Sequence, residues 1–319
     1  MTKVGPFFKQ LSQEIFEVTI TLFKVMIPII LILKVIEEMG GIILLSELLG
    51  PLMHAVGLPS EMGLVWATTL LTNIYAGLLV FINLDIPLTV AQVSILGSMM
   101  LLAHSLPVEV ALARKAGVTL WTTLLVRIGG SLLFAWLLHL TYEGTNSLQQ
   151  AAQVLWQQEQ STDTDYLSWA LSQIENLAMI FVVISALLFT LKVLKLLGIE
   201  RLMTKILSPL LRLLGISKEA TNLTIIGVTL GLSYGGGLLI NEAKKGHIPA
   251  RDIFTAIMLL NLLHSLIEDT LLVLLIGADF NTIFWGRLIF AVLLVALIAA
   301  ILRTLDTKVC ERYLYRTVK

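Results

Sequence analysis

Apolar residues fill most of this chain in long runs, and charged residues gather between them. Ile128 to Tyr142, Met179 to Leu191 and Leu288 to Leu302 contain no Asp, Glu, Lys or Arg. With their flanks, such runs reach the roughly 20 residues needed to cross a bilayer core. The pattern predicts a helix over Phe16 to Ile36, an amphipathic one over Ile42 to His54, and a span over Ser60 to Phe81. A segment from Pro87 to Ala116 and a span over Val118 to Leu140 follow. The second half predicts helices over Asn176 to Leu197, Arg201 to Leu214, Glu219 to Glu242, Pro249 to Leu275 and Asn281 to Arg303. In Arg201 to Leu214 the basic residues share one face and Leu and Ile the other, as in a helix lying along a membrane surface.

The two halves carry the same landmarks. Leu33-Lys34-Val35, Gly40, Pro51 and Gly57 return 158 positions later as Leu191-Lys192-Val193, Gly198, Pro209 and Gly215. At an offset of 160, His104-Ser105-Leu106, Gly117 and Arg127 return as His264-Ser265-Leu266, Gly277 and Arg287. Between the landmarks the charge bias reverses: Glu37, Glu47 and His54 correspond to Lys195, Lys205 and Arg212. Lys and Arg accumulate on the cytoplasmic side, so the copies are expected to sit in opposite orientations. Inverted repeats of this kind build secondary transporters, with the substrate site near the midplane. The expected fold is an all-α polytopic membrane protein. It has two inverted-topology repeats, each of three spans plus a re-entrant helical hairpin and interrupted helices.

A hydrophobic fraction of 57% against 14% charged residues agrees with that class. No cleavable signal sequence is seen, so the first helix is expected to act as the insertion signal. The single cysteine, Cys310, excludes an intrachain disulfide. No Lys or Arg occurs from Ile128 to Leu191. The acidic, Gln-rich linker, residues 142–173, is therefore expected outside, as an interfacial or extracytoplasmic helix pair. It joins the first unit (1–141) to the second (174–304). The basic tail (305–319), the N-terminus and the Lys192 to Lys218 region belong inside. Lys244, Lys245 and Arg251 break the rule, because Glu219 to Glu242 read as a crossing leaves them outside.

Two kinds of feature carry chemistry. Pro87 to Ala116 and Pro249 to Leu275 read as re-entrant hairpins, their arms too short to cross singly, with His-Ser tips. After each tip a short helix is expected to begin, with Pro107 in its first turn in one copy. In the other, Ser265-Leu-Ile-Glu268 matches a capping box. Such helix N-termini suit a carbonyl, hydroxyl or anion. Gly231 to Gly237 and Thr72 to Gly77 read as interruptions within spans. Asn73, Tyr75, Ser233, Tyr234 and Asn241, with His104, Ser105, His264 and Ser265, are the candidate substrate-binding residues. Interhelical hydrogen bonding is the alternative role for the polar residues at the interruptions.

Glu268, Asp269 and Glu109 are the candidate coupling residues, and Glu268 could equally cap its helix. Arg127 and Arg287 are buried charges that either contact an anion or gate, or pair structurally with Glu109 and Asp269. A transition-metal site of His264, Glu268 and Asp269 lacks a second nearby His or Cys, so no metal is assigned.

The His-Ser-Leu tips, the Ser233-Tyr234-Gly235-Gly236-Gly237 break and the doubled hairpin layout resemble the nucleoside-recognition or Gate-domain family of membrane proteins. That family includes the spore maturation proteins and is similar to parts of concentrative nucleoside transporters and of the ferrous-iron permease. The resemblance covers about residues 15–141 and 174–304 and implies a nucleoside-like solute. Two departures weaken an iron reading: no G-x-x-x-x-G-K-[ST] motif occurs, and Cys310 lies outside the spans. The expectation is a permease for a small polar solute, driven by a proton or Na⁺ gradient, in the cytoplasmic (inner) membrane of a bacterium or archaeon. A divalent-metal permease and a non-transporting scaffold are the alternatives. No enzyme activity and no cofactor are expected, since no protease, P-loop or phosphatase pattern is present. The partners are the solute or ion and the bilayer, without nucleic acid; a homo-oligomer stays open.

Overall fold

The computed structural model describes residues 4–155, 166–230, 232–246 and 248–316. The first half comprises α1 (Val4–Glu38), α2 (Gly41–His54), α3 (Met62–Leu71), α4 (Ile74–Leu84), α5 (Val90–Leu102), α6 (Leu106–Lys115) and α7 (Leu120–Leu124). A π-helical turn, Leu125–Gly129, then leads into α8 (Gly130–Thr145). The second half comprises α9 (Tyr166–Leu196), α10 (Ile199–Leu213), α11 (Lys218–Leu230), α12 (Leu232–Lys245), α13 (Ala250–Leu262) and α14 (Leu266–Leu274). A second π-helical segment, Asn281–Gly286, leads into α15 (Arg287–Thr304), and α16 (Thr307–Tyr313) follows. The element order thus repeats from α1/α9 through α6/α14 to α8/α15. Among the described residues, six helical stretches are long and apolar enough to cross a membrane: Phe7–Ile36, Val90–Lys115, Leu120–Thr145, Tyr166–Leu196, Ala250–Leu274 and Asn281–Thr304. This is an all-helical, multi-pass membrane protein.

The landmark glycines have a backbone reason to recur. Gly40/Gly198, Gly57/Gly215 and Gly117/Gly277 all end or join helices at positive φ, between 70° and 93°, where a Cβ is disfavoured.

The hairpins form in different places from those the sequence suggests. α3 and α4 lie side by side, and a Cβ on Gly77 would run into the Thr69 side chain of the facing arm. Their reversal occurs at Thr72-Asn73, where extended Asn73 starts the new helix by accepting from the Ala76 N–H at 2.9 Å. α11 and α12, which end and begin at Leu230 and Leu232, pack against each other in the same way. The region expected to unwind around Ser233 to Gly237 is helical from Leu232 onward. Arms of 10–14 residues are about 15–21 Å long, too short to cross.

Conversely, α5–α6 and α13–α14, expected to be hairpins, continue onward through a break. Val90 N–H donates to Gln150 O (2.9 Å) at one end of α5–α6, whereas Thr119 N–H donates to Leu314 O (3.0 Å) beyond the other. The linker and the tail therefore mark opposite ends of the bundle. α13–α14 runs the other way, from the Phe254–Tyr315 ring contact at the tail end to Leu155 N–H on Leu275 O (2.9 Å) at the linker end. The α3–α4 hairpin opens toward the linker end, where Gln92 Nε2 donates to Gly57 O (3.3 Å). The α11–α12 hairpin opens toward the tail end, where Ser217 N–H donates to Asp252 Oδ2 (3.2 Å). Lys244, Lys245 and Arg251 consequently share the tail end with Lys218 and the basic tail. Their apparent exception to the charge rule came from reading a hairpin as a crossing.

Two further expectations change. The linker segment is not helical over residues 146–155: it runs along the loop before α5, with Ala91 N–H on Leu148 O and Ala152 N–H on Leu88 O (both 2.9 Å). The Ser265–Glu268 capping box does not form. Ser265 adopts φ 45°, ψ 40° and makes no side-chain cap bond, whereas a capping Ser needs the extended region. A capping box does form at Thr89 and Gln92, and its T-x-x-Q spacing is readable in the sequence.

The two broken crossings are the core. Buried residues make up 67% and 72% of the most apolar windows of α5–α6 and α13–α14, against 18% and 17% for α1 and α9. These last two helices pack on each other at the periphery through Met26, Ile30, Ile180 and Ile184, with Leu79 of α4.

Candidate functional site

Each core crossing breaks at the same motif. α5 ends at Leu102 and α6 begins at Leu106; α13 ends at Leu262 and α14 begins at Leu266. Ser105 (φ 49°) and Ser265 (φ 45°) take the left-handed conformation between them, a costly setting for a non-glycine residue. The Ser105 N–H donates to Thr69 O (3.1 Å) and its Oγ to Thr72 O (2.7 Å). The carbonyls freed at the tip of the α3–α4 hairpin are thus taken up by the break in α5–α6.

A break also frees carbonyls inside the crossing helices, and the two buried arginines take them. Arg127 donates to Asn261 O (2.7 Å) and His104 O (2.9 Å). Arg287 donates to Leu262 O (3.0 Å) and His264 O (3.0 Å). Both side chains have 0% exposure. The guanidiniums therefore hold open two helix ends that lipid could not satisfy. Arg127 lies within the first π-helical turn and Arg287 directly follows the second. Such turns shift the phase of a helix face and recur at functional sites.

Between the breaks lies a buried polar cluster. His104 Nδ1 is 2.9 Å from Met100 O and His264 Nδ1 is 2.8 Å from Leu260 O. Their Nε2 atoms face each other at 2.8 Å. Glu109 Oε1 stands 3.3 Å from His104 Nε2 and 3.1 Å from His264 Nε2, while its Oε2 pairs with Arg127 Nη1. Asp269, the repeat partner of Glu109, places Oδ2 3.9 Å from His104 Nε2. No ion pair joins Asp269 to Arg287 within 4.0 Å among the described residues, and both Asp269 Oδ2 and Arg287 Nη1 lack a hydrogen-bond partner. The expected structural pair therefore forms for Arg127–Glu109 and not for Arg287–Asp269. Asn261 is also fully buried, with neither end of its amide bonded.

The remaining candidates divide. Glu268 makes no ion pair with either histidine within 4.0 Å among the described residues; its side chain interacts instead with that of Tyr75, joining α14 of the second half to α4 of the first. Asn73 is a helix cap. Asn241 is exposed on α12, one residue before Glu242, which pairs with Lys245 at 2.6 Å; the fold does not bring it to the cluster. The side chains of Ser233 and Tyr234 lie outside the described residues. From sequence, the site is expected between the His104-Ser105 and His264-Ser265 tips, with their short helices approaching each other; the direct Nε2–Nε2 contact was not foreseen. That contact removes the objection on which a metal was set aside.

No family model matches this chain, and no solved structure does. Over 291 residues, 89% of this chain and 91% of its relative, it is 29% identical to the protein YvoD of Bacillus subtilis (strain 168), described as an uncharacterized membrane protein. The similarity thus runs through both halves, and it agrees with the six apolar crossings in making this a multi-pass membrane protein.

Proposed function

We propose that the protein is a secondary transporter for a small polar solute, working by alternating access around the His104–His264 cluster. The observation that carries this reading is the convergence of two broken crossings, two half-length hairpins and six buried charged or titratable side chains (His104, Glu109, Arg127, His264, Asp269 and Arg287) in an otherwise apolar bundle. Ionisable groups within crossing segments are costly and usually mark a substrate, ion or proton path. Broken helices and oppositely opening hairpins are the parts from which such paths are made.

The basic residues supply an orientation. Arg114, Lys115, the Lys192 to Lys218 group, Lys244, Lys245, Arg251 and the tail all sit at one end, which is placed in the cytoplasm. The two halves then have inverted topology, with the linker outside in a cytoplasmic (inner) membrane. The resemblance of the tips to the nucleoside-recognition family makes nucleosides the first organic solutes to test.

Tyr75–Glu268 is the contact best placed to couple the halves, since it bridges a hairpin arm and a broken crossing. Uptake into vesicles containing the purified protein, with and without an imposed proton or Na⁺ gradient, tests the proposal. Glu268→Gln keeps the shape and a hydrogen bond to Tyr75 while removing the charge. Uptake by this variant is expected to lose its response to the gradient. Failure of the wild-type protein to move nucleosides, other small polar solutes or divalent ions under either gradient would overturn the transport reading.

A further inference from the structure

We infer that His104 Nε2, His264 Nε2 and Glu109 Oε1 form a binding site for a divalent transition-metal cation, with Asp269 in reach as a fourth ligand. The argument begins with protons. A backbone carbonyl only accepts hydrogen bonds, so Met100 O and Leu260 O, at 2.9 and 2.8 Å, fix the protons of both rings on Nδ1. In a neutral imidazole the other nitrogen is then a bare acceptor. Both Nε2 atoms therefore turn lone pairs toward each other at 2.8 Å. An ionised Glu109 adds a third acceptor, at 3.1 and 3.3 Å. Three acceptors converge with no donor between them, an arrangement that needs a cation at its centre.

The geometry suits a metal ion. Bonds of about 2.0–2.2 Å, at angles between a right angle and the tetrahedral value, hold donor atoms about 2.8–3.6 Å apart. The three observed separations fall within that window. The surroundings match as well. Metal-binding histidines donate their other ring N–H to a carbonyl or carboxylate, which fixes the ring and raises its basicity; both rings here do so. Arg127 engages Glu109 Oε2 and leaves Oε1 free for the histidines.

Asp269 Oδ2, buried and without a hydrogen-bond partner, lies 3.9 Å from His104 Nε2. A modest side-chain rotation would bring it in. Within the cluster the carboxylates of Glu109 and Asp269, when ionised, balance the guanidiniums of Arg127 and Arg287, so with neutral imidazoles no net positive charge opposes a cation there. Two imidazole nitrogens with one or two carboxylate oxygens favour Zn²⁺, Fe²⁺, Co²⁺ or Ni²⁺ over Mg²⁺ and Ca²⁺, which prefer all-oxygen shells.

The competing occupant of the same position is a single extra proton shared between the rings. Purified full-length protein in detergent, stripped with a chelator, separates the two. Zn²⁺ and Co²⁺ are titrated, and the bound metal is measured by elemental analysis after desalting. One ion per chain is expected, with a visible Co²⁺ absorption spectrum of mixed nitrogen and oxygen ligation. His104→Gln and His264→Gln should each weaken binding by about 100-fold or more, while His139→Gln, outside the cluster, should leave it unchanged. If the histidine variants fail to fold, X-ray absorption of the Zn²⁺-loaded wild-type protein decides: two imidazole ligands support the site. No stoichiometric binding by the wild-type protein, binding unaffected in both folded histidine variants, or a shell without imidazole would overturn it and leave the shared proton. The inference does not rest on transport, because binding is measured without a gradient. Failed uptake would leave the site standing, and failed binding would leave transport of an organic solute standing.

Discussion

Removing the guanidinium of Arg127 tests the cluster most directly, because the structure gives Arg127 and its repeat partner Arg287 unequal duties. Both take two freed carbonyls, but only Arg127 also pairs with a buried carboxylate, that of Glu109. In Arg127→Met two carbonyls lose their donor, at about 1–3 kcal/mol each. Glu109 also loses its counter-ion, and breaking one side of a buried pair costs roughly 3–5 kcal/mol. Arg287→Met breaks no contact ion pair, although Asp269 loses a more distant counter-charge, so it should be the milder of the two. Adding Glu109→Gln to Arg127→Met removes the stranded charge and leaves an amide that can donate to a histidine. The double variant should therefore recover much of the charge component, giving a favourable coupling of about 2–3 kcal/mol. Unfolding in detergent–SDS mixtures, followed by tryptophan fluorescence, measures all four proteins. Equal losses in Arg127→Met and Arg287→Met, or no recovery in the double variant, would refute the argument that the ion pair makes Arg127 different.

Two further outcomes follow from the fold. Gly277 has φ 87°, and a Cβ there would lie 2.8 Å from the Gln153 carbonyl oxygen and 3.1 Å from its nitrogen. Gly277→Ala should cost about 1–2 kcal/mol in backbone strain alone and lift the linker from the α14 turn, seen as faster proteolysis within residues 146–155. With Cys310→Ser as background, Lys218→Cys and Lys245→Cys should react with an impermeant thiol reagent from the same side, and Gln149→Cys from the other. Labelling of Lys218→Cys and Lys245→Cys from opposite sides would show that α11 and α12 cross the membrane and do not form a hairpin.

Local rules in the sequence determined which segments are apolar and where most short helices begin, and the recurring glycines stand where the backbone turns left-handed. The helix start after His104-Ser105 was legible because Pro107 acts within a turn; the start after His264-Ser265 rested on a capping box that does not form, although the helix does begin there. The recurring glycines were legible because a positive φ leaves its mark on a single residue. Whether a helix pair separated by a break doubles back or continues was not legible. Thr72-Asn73 reverses the chain and Ala103-His104-Ser105 does not, yet each is a short polar interruption between apolar arms. The difference lies in distant partners: Ser105 bonds the carbonyls of Thr69 and Thr72, and Arg127 bonds that of Asn261. For the same reason a capping box expected at Ser265 gave way to a left-handed serine. Repetition told which residues occupy equivalent places, but only packing of the two halves set His104 against His264. It also gave Glu109 an arginine and left Asp269 without one. Equivalent sequence positions acquire unequal chemistry once each is surrounded by the other half of the molecule, and that asymmetry belongs to the tertiary structure alone.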